Sequence, residues 1–255
     1  MMSSGYILSP GKNDSPMLVL SHSLGTDFNL WNLVLEPLEE RFRILRYDPH
    51  PGRDSNMVEG TISEVGIRLI QLLDRLGFER VNFCGVSVSG LLGQWLALEA
   101  PNRLDKLILC NTAARIGTPA AWQKRINLIR KNGLSRLADY LVNRWFSSDY
   151  AAKQPEIVER FAADLRLFPV VTYLAGCEAI RDADFRDRAN QIKTRTLIIA
   201  GQQDRAATPA DADFLHDQIH LSQLVSFPCG HLACVEQPTG FTQALVDFLT
   251  HPDSC

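Results

Sequence analysis

The sequence predicts an α/β fold with a mostly parallel central sheet and helices on both faces. Short, nearly continuous apolar runs alternate with segments of helical periodicity along most of the 255 residues, as expected when both faces of a parallel sheet are covered. One apolar run leads directly into small residues that are typical of a tight turn from strand to helix. The length allows one large core with an inserted segment.

The apolar runs place the strands, and the periodic segments between them place the helices. Strands are predicted near residues 17–22, 42–47, 80–85, 105–110, 195–200 and 223–227. Helices are predicted over residues 27–40, 62–76, 89–100, 209–218 and 240–249. The second helix has the clearest boundaries, because Thr61 and Glu64 form a capping box and Gly77 supplies its end.

The stretch of residues 117–188 interrupts this alternation. It has the periodicity of helices and no strand pattern, with apolar residues at Trp122, Ile126, Ile129, Leu134, Leu137 and Leu141. We therefore predict a core formed by residues 1–116 and 189–255, and a helical lid, or cap, formed by residues 117–188.

The candidate nucleophile is Ser87, which lies in the sequence Gly85-Val86-Ser87-Val88-Ser89-Gly90 after an apolar run. This pattern is typical of a nucleophile elbow, where the serine has strained backbone geometry and small neighbours prevent collisions within the turn. An isolated serine before a helix is more often a cap. The elbow therefore needs catalytic partners elsewhere in the chain.

Two later loops supply these partners. Asp204 follows the apolar run of residues 196–201, and His231 follows the run of residues 224–227. Alone, an aspartate after a strand is usually a turn former and a late histidine is usually a surface residue. Together with Ser87 they appear in the order serine, acid, histidine, which is the order of the triad in α/β hydrolases. This order favours catalysis over the structural interpretation of each residue.

Two backbone amides are predicted to bind the oxyanion. Leu24 lies in the loop after the first apolar run, and Val88 directly follows the nucleophile. His22 precedes this loop and is predicted to shape it rather than to transfer protons. Asp48 also follows a strand, but it precedes the nucleophile and is predicted to be a structural turn residue.

Composition excludes several other classes of function. The net charge of −3 provides no basic surface for nucleic acid. No apolar run reaches the roughly 18 residues of a membrane span, and no secretory leader is visible, so we expect a cytoplasmic protein. The six cysteines contain no C-x-x-C pair and are predicted to be buried thiols, so we expect neither disulfides nor a metal site.

Seven segments carry a more specific resemblance. They are Ser-Leu-Gly-Thr-Asp (23–27), Phe-Arg-Ile-Leu-Arg-Tyr-Asp (42–48), Gly-Gln-Trp-Leu (93–96), Leu-Cys-Asn-Thr-Ala-Ala (109–114), Arg-Trp-Phe (144–146), Ile-Arg-Asp-Ala-Asp-Phe-Arg (180–186) and Val-Glu-Gln-Pro (235–238). These segments span nearly the whole chain and resemble those of 3-oxoadipate enol-lactonases. Enzymes of this family open β-ketoadipate enol-lactone in bacterial aromatic catabolism.

The resemblance implies an α/β-hydrolase fold with a helical lid inserted after the sixth strand. It also implies a triad of Ser87, Asp204 and His231, a small carboxylate-bearing lactone as substrate, and no metal or organic cofactor. A buried substrate carboxylate needs a cation or several donors. In the family-like Arg-Trp-Phe, Arg144 is the candidate cation and Trp145 a candidate apolar wall of the pocket; a solvated arginine beside a core tryptophan is the alternative.

Three segments depart from the family pattern. The elbow has Val88-Ser89-Gly90 where Met-Gly-Gly is usual, the loop of residues 48–55 differs, and the N-terminus lacks part of the usual first hairpin. Two other functions therefore stay open beside enol-lactone hydrolysis. One is a related carboxylesterase or carbon–carbon bond hydrolase with drifted specificity, and the other is a non-catalytic binding protein with the same fold. The oligomeric state is not determined by the sequence.

Overall fold

The computed structural model describes residues 5–11, 15–49 and 60–251. Seven strands form one sheet in the order β1-β3-β2-β4-β5-β6-β7, in which β1 is antiparallel to β3 and every other pair is parallel. The strands are β1 (Tyr6–Leu8), β2 (Met17–Ser21), β3 (Arg43–Tyr47), β4 (Val81–Val86), β5 (Leu104–Cys110), β6 (Thr196–Gly201) and β7 (Ser222–Phe227). The predicted fold class is confirmed.

Helices connect the parallel strands. They are α1 (Asn32–Glu39), α2 (Ile62–Leu76), α3 (Val88–Glu99), α4 (Pro119–Asn132), α5 (Ala138–Val142), α6 (Ser148–Lys153), α7 (Pro155–Arg166), α8 (Val170–Asp182), α9 (Pro209–Gln218), α10 (Ala233–Glu236) and α11 (Pro238–Thr250). Helix α2 has the predicted ends, with a capping box between Thr61 and Glu64 and a left-handed Gly77. The predicted first helix begins instead as a 3₁₀ turn, Phe28–Trp31, capped by Asp27.

The centre of the sheet is covered on both faces. Every residue of β2, β4 and β6 is buried, whereas the edge strand β7 is only partly buried. The largest fully buried side chains include Trp31, Phe42, Phe83 and Phe241. This core fixes the strands whose carboxyl ends carry the candidate catalytic residues.

Helices α4 to α8 form the long segment that interrupts the α/β alternation. They follow β5, the fifth described strand, so the predicted position after a sixth strand is not confirmed; a single short strand, β1, precedes β2 within the described residues. The two ends of the segment meet where the Phe185 amide donates to the Ala114 carbonyl oxygen over 2.8 Å. Its division from the core at residues 117 and 188 stays a prediction.

The two segments that depart from the family pattern outside the elbow are the loop at 48–60 and the N-terminus. Most of the divergent loop at 48–60, residues 50–59, lies outside the described residues. The N-terminal sequence from Gly5 to Ser9 contributes the edge strand β1, which was not predicted. None of the described helices combines the length and the apolar character that crossing a membrane requires.

Candidate active site

Ser87 lies at a sharp turn between β4 and α3. Its φ of 58° and ψ of −115° are strained for a residue with a side chain. Two hydrogen bonds hold the turn: the amide of Gly90 and the hydroxyl of Thr112 both donate to the Ser87 carbonyl oxygen over 2.8 Å. A Cβ at Gly85 would lie 2.2 Å from the Ser89 carbonyl oxygen. The small residues are therefore required by the turn, as in a nucleophile elbow.

Asp204 and His231 meet at the same edge of the sheet. The Nδ1 of His231 donates to Asp204 Oδ2 over 2.7 Å, and both side chains are buried. Asp204 follows β6 and His231 follows β7, so neighbouring parallel strands bring them together. Ser87 and His231 both line one cavity, although no hydrogen bond joins them among the described contacts. Such a contact is often long in a site without substrate.

The Asp204 carboxylate is stabilised in its ionised form. Burial alone raises its pKa, but the charge and ring N–H of His231 and the amides of Ala206 and Ala207 outweigh burial, so the pKa lies below its usual value. The two amides donate to Oδ1 over 2.7 and 3.1 Å. Asn111 adds a side-chain bond to Oδ2 over 3.2 Å. An ionised carboxylate here can orient and stabilise a histidine that gains a proton.

The loop after β2 faces the nucleophile. Its turn is closed by the Thr26 amide, which donates to the Ser23 carbonyl oxygen over 3.2 Å, and Gly25 has a left-handed φ of 79°. Leu24 lines the cavity, and Val88 is the first residue of α3. Neither amide donates a backbone hydrogen bond among the described residues. That the two amides bind an oxyanion stays a prediction.

His22 and Asp48 form a separate pair beside this loop. His22 Nε2 lies 3.4 Å from Asp48 Oδ1, at a geometry too poor for a hydrogen bond. The His22 ring packs edge-on against Phe28 and its Nδ1 lies 3.1 Å from the Ser23 carbonyl oxygen. Asp48 is therefore placed against His22 and Asp204 against His231.

A cavity of about 160 Å³ connects these groups with the helical segment. On the sheet side it is lined by Ser87, His231 and Leu24. On the helical side the lining includes Trp122, Arg125, Leu141, Arg144, Trp145, Tyr173 and Ile180, and Arg205, from the loop after β6, lines it as well. The cavity is small, since an apolar cavity of about 150 Å³ holds benzene.

The two predicted substrate-binding residues both line this cavity. Trp145 is buried, packs edge-on against Phe161, and its carbonyl oxygen accepts the His231 amide over 2.7 Å. Arg144 is partly exposed, and its Nη2 donates to the Arg205 carbonyl oxygen over 3.3 Å. Its guanidinium is thus partly engaged at the rim of the cavity.

Arg125 is a second cavity arginine, which the sequence analysis missed. Its guanidinium lies 4.3 Å from the centre of the Trp122 ring. Tyr173 lines the same cavity: burial raises the pKa of this buried tyrosine, and the positive charge of Arg125 acts in the opposite direction. No carboxylate lies within ion-pair distance of Arg125 in the part of the chain that the structure describes. The Trp122 ring therefore packs against a guanidinium that has no carboxylate partner among the described residues.

The loop that carries His231 is fastened to the helical segment. The buried Glu236 carboxylate accepts hydrogen bonds from the Gly230 amide over 2.8 Å and from the Ser147 amide over 3.1 Å. Burial raises the pKa of Glu236, against the lowering effect of these donors. The segment that contains Trp145 and the loop that contains His231 consequently form one packed unit.

Asn111, Glu236 and Arg125, which surround the candidate catalytic groups, were not predicted from the sequence. Asn111 and Glu236 lie inside two family-like segments, so that resemblance was the available signal for them. Arg125 belongs to no such segment. Cys229 and Cys234, which flank His231, are buried, and burial raises the pKa of Cys229 to about 12, so this thiol stays neutral. Among the described residues, no histidine, cysteine and carboxylate cluster has the arrangement of a metal site.

Comparisons with known proteins agree with this architecture. The α/β hydrolase fold family matches residues 16–238. The chain is 38% identical to 3-oxoadipate enol-lactonase 2 of Acinetobacter baylyi, over 92% of this chain and 89% of that protein. It is 32% identical to 3-oxoadipate enol-lactonase 1 of the same organism, over 94% and 90% of the two chains. The crystal structure of the enol-lactonase from Burkholderia xenovorans LB400 superimposes with a TM-score of 0.91, at 37% identity over 96% of each chain.

Proposed function

We propose that this chain, which belongs to the 3-oxoadipate enol-lactonase family of α/β hydrolases, hydrolyses 3-oxoadipate enol-lactone to 3-oxoadipate. The observation that carries the proposal is the 2.7 Å contact between His231 and Asp204 beside a cavity that Ser87 also lines. A serine, a histidine and an ionised carboxylate so arranged support acyl transfer. The reaction proceeds through an acyl-serine and needs no cofactor.

In the first half-reaction, the Ser87 hydroxyl attacks the lactone carbonyl carbon while His231 accepts the hydroxyl proton. Asp204 stabilises the resulting imidazolium, and its lowered pKa supports this role. The amides of Leu24 and Val88 bind the oxyanion of the tetrahedral intermediate. Losing one such donor typically costs about 10² to 10³ in rate.

Collapse of the intermediate breaks the ring C–O bond. The leaving oxygen is that of an enol, which takes the proton from His231 and then relaxes to the more stable ketone. Ring opening is therefore favourable. In the second half-reaction His231 removes a proton from water, the water attacks the acyl-serine carbonyl, and Ser87 is released with its proton restored.

The substrate's free carboxylate needs a cation or several hydrogen-bond donors inside the cavity, and the cavity offers arginines. Arg125 suits this role better than Arg144, because its guanidinium packs against the Trp122 ring at the cavity and has no carboxylate partner among the described residues. The guanidinium of Arg144 is partly engaged by the Arg205 carbonyl oxygen. Trp145 forms an apolar wall. The carboxylate is thus bound mainly by Arg125, with Arg144 at the rim.

The size of the cavity limits the substrate class. A volume of about 160 Å³ suits a single ring with a short arm, whereas a long acyl chain does not fit. Residues 117–188 act as the lid that closes over this volume, since much of the lining comes from helices α4, α5 and α8. The enzyme acts in the cytoplasm, where its five described free thiols stay reduced.

The test follows the ultraviolet absorbance of the enol-lactone with purified protein. We expect wild type to consume it with many turnovers per enzyme molecule. Ser87→Ala and His231→Ala should each lower kcat by a factor on the order of 10⁴ to 10⁶, while their circular dichroism and Tm stay close to wild type. A Ser87→Ala variant with more than a few per cent of wild-type activity would contradict the assignment.

The same assay separates the other functions. Rapid hydrolysis of p-nitrophenyl acetate without turnover of the enol-lactone would identify a carboxylesterase with a different substrate. Binding of the lactone without turnover of either compound would identify a non-catalytic hydrolase-fold protein. Turnover of the enol-lactone with a clear preference over the neutral ester is the result that the proposed function predicts.

A further inference from the structure

Ser89, which replaces the usual glycine of the elbow, connects the nucleophile helix to the loop after β2. Its side chain is completely buried at the start of α3. Its hydroxyl donates to the His22 carbonyl oxygen over 2.6 Å and lies 2.8 Å from the Ser21 hydroxyl. The two contacts join the start of α3 to the end of β2 and to the loop that follows it.

The directions of these bonds follow from the number of protons. A serine hydroxyl has one proton, and that of Ser89 is given to the His22 carbonyl oxygen. The Ser21 hydroxyl must therefore donate to Ser89. The serine side chain has room at this position because its neighbour, Ser21, is also small. Among the described contacts, its hydroxyl does not accept a hydrogen bond from an amide at the start of α3.

The position of this link matters because of what lies next to each end. Ser89 directly follows Val88, and His22 lies two residues before Leu24. The parallel pairing of β2 with β4 ends at Ser21, so the chain from His22 onward is no longer held by the sheet. Just beyond the last residue pair of β2 and β4, the hydrogen bond from the Ser89 hydroxyl to His22 therefore holds the loop after β2 against α3.

We propose that Ser89 is a positioning residue that fixes the spacing between the Leu24 and Val88 amides. This proposal rests on the proposed function and its oxyanion hole, and it adds a hydrogen bond that a glycine at this position could not make. Two donors bind an oxyanion well when both point at the position where charge develops. Without the hydrogen bond from Ser89 to His22, the loop after β2 can shift relative to α3, and the Leu24 amide is then held less well. Binding of the tetrahedral intermediate is then weakened more than binding of the substrate.

The test uses Ser89→Ala, Ser89→Gly, Ser21→Ala and the double variant of Ser21→Ala with Ser89→Ala. We expect Ser89→Ala and Ser89→Gly to lower kcat about three- to tenfold and to leave KM within about twofold of wild type. The loss is smaller than that for deleting a donor, because both amides remain. Binding of a boronic acid, which mimics the tetrahedral state, should weaken by the same factor as kcat.

The double variant tests the link between the two hydroxyls. Because Ser89→Ala already removes the bond to Ser21, adding Ser21→Ala should cost almost nothing further. Thr196→Val is the matched control, since it removes another buried hydroxyl that donates to a backbone carbonyl, at the opposite end of the sheet. We expect it to lower Tm without changing kcat or boronic acid binding.

Three results would overturn the proposal. They are an unchanged or increased kcat in Ser89→Gly, multiplicative losses in the double variant, and a fall in kcat without weaker boronic acid binding. All variants are also measured with p-nitrophenyl acetate, whose hydrolysis uses the same amide donors. If the enol-lactone is not a substrate but the variants lose ester hydrolysis as described, the proposed function fails and the role of Ser89 stands.

Discussion

Gly230→Ala tests how closely the position of His231, the candidate general base, depends on the helical segment. A Cβ at this position would lie 2.8 Å from three backbone atoms, Trp145 O, Phe146 C and Ser147 N. The next residue, His231, donates its amide to the same Trp145 carbonyl oxygen over 2.7 Å. Backbone atoms cannot swing aside as a side-chain end can. The added methyl group must therefore move the His231 loop or the segment of residues 145–147.

The size of this movement can be worked out from the contacts. Ordinary contact begins at 3.4 Å, so the loop must move by about 0.6 Å, which is 3.4 minus 2.8. A misplacement of 1 Å can cost about 10² in rate, so we expect kcat to fall by roughly ten- to a hundredfold. Overpacking of this kind typically costs about 1 to 3 kcal/mol of the free energy of unfolding.

The assay is kcat on the enol-lactone together with unfolding in urea. The control is Gly240→Ala, where a Cβ would also lie 2.8 Å from its nearest neighbour. That neighbour is a ring atom of Phe227, which can move, and Gly240 lies in α11 away from the cavity. We expect kcat within about twofold of wild type for Gly240→Ala. A Gly230→Ala enzyme with wild-type kcat would refute the packing argument.

Three further predictions concern the charged groups. Asp204→Asn should lower kcat by about 10³ to 10⁴, and Asp48→Asn by less than about tenfold; the reverse order would move the acid to Asp48. Arg125→Met should raise KM for the enol-lactone about tenfold and leave KM for p-nitrophenyl acetate unchanged, with a smaller rise for Arg144→Met; equal effects on both substrates would indicate a structural role. Because the folded pKa of Asp204 is lowered, its ionised form stabilises the fold above the unfolded pKa near 4, and this contribution disappears as the pH falls through the folded pKa. The difference in unfolding free energy between wild type and Asp204→Asn should therefore shrink below about pH 4, and a difference that grows there would contradict the contact with His231.

Elements whose stability is local were predictable from the sequence. The capping box and the left-handed Gly77 fix the ends of α2 through contacts within a few residues. The buried strands were found from their apolar runs, because both faces are covered. The edge strand β1 was missed, since its three residues become a strand only through pairing with β3.

The chemical groups of the site were predictable, but their surroundings were not. Ser87, Asp204 and His231 each lie just beyond a strand, and a parallel sheet brings such positions to one edge. Which arginine faces the cavity depends on how α4 packs, so Arg125 could not be distinguished from the other basic residues of the segment. The partner of Ser89 lies 67 residues away, and no local pattern indicates it.

Covalent labelling tests the central claim, that Ser87 is the nucleophile of a lactone hydrolase. The protein is treated with a fluorophosphonate, digested and examined by mass spectrometry, while activity on the enol-lactone is followed in parallel. We predict one label per chain, located on Ser87, with loss of lactonase activity in proportion to labelling and slower labelling when the enol-lactone is present. Full lactonase activity after complete labelling of Ser87, or loss of activity with the label on another residue, would contradict the account.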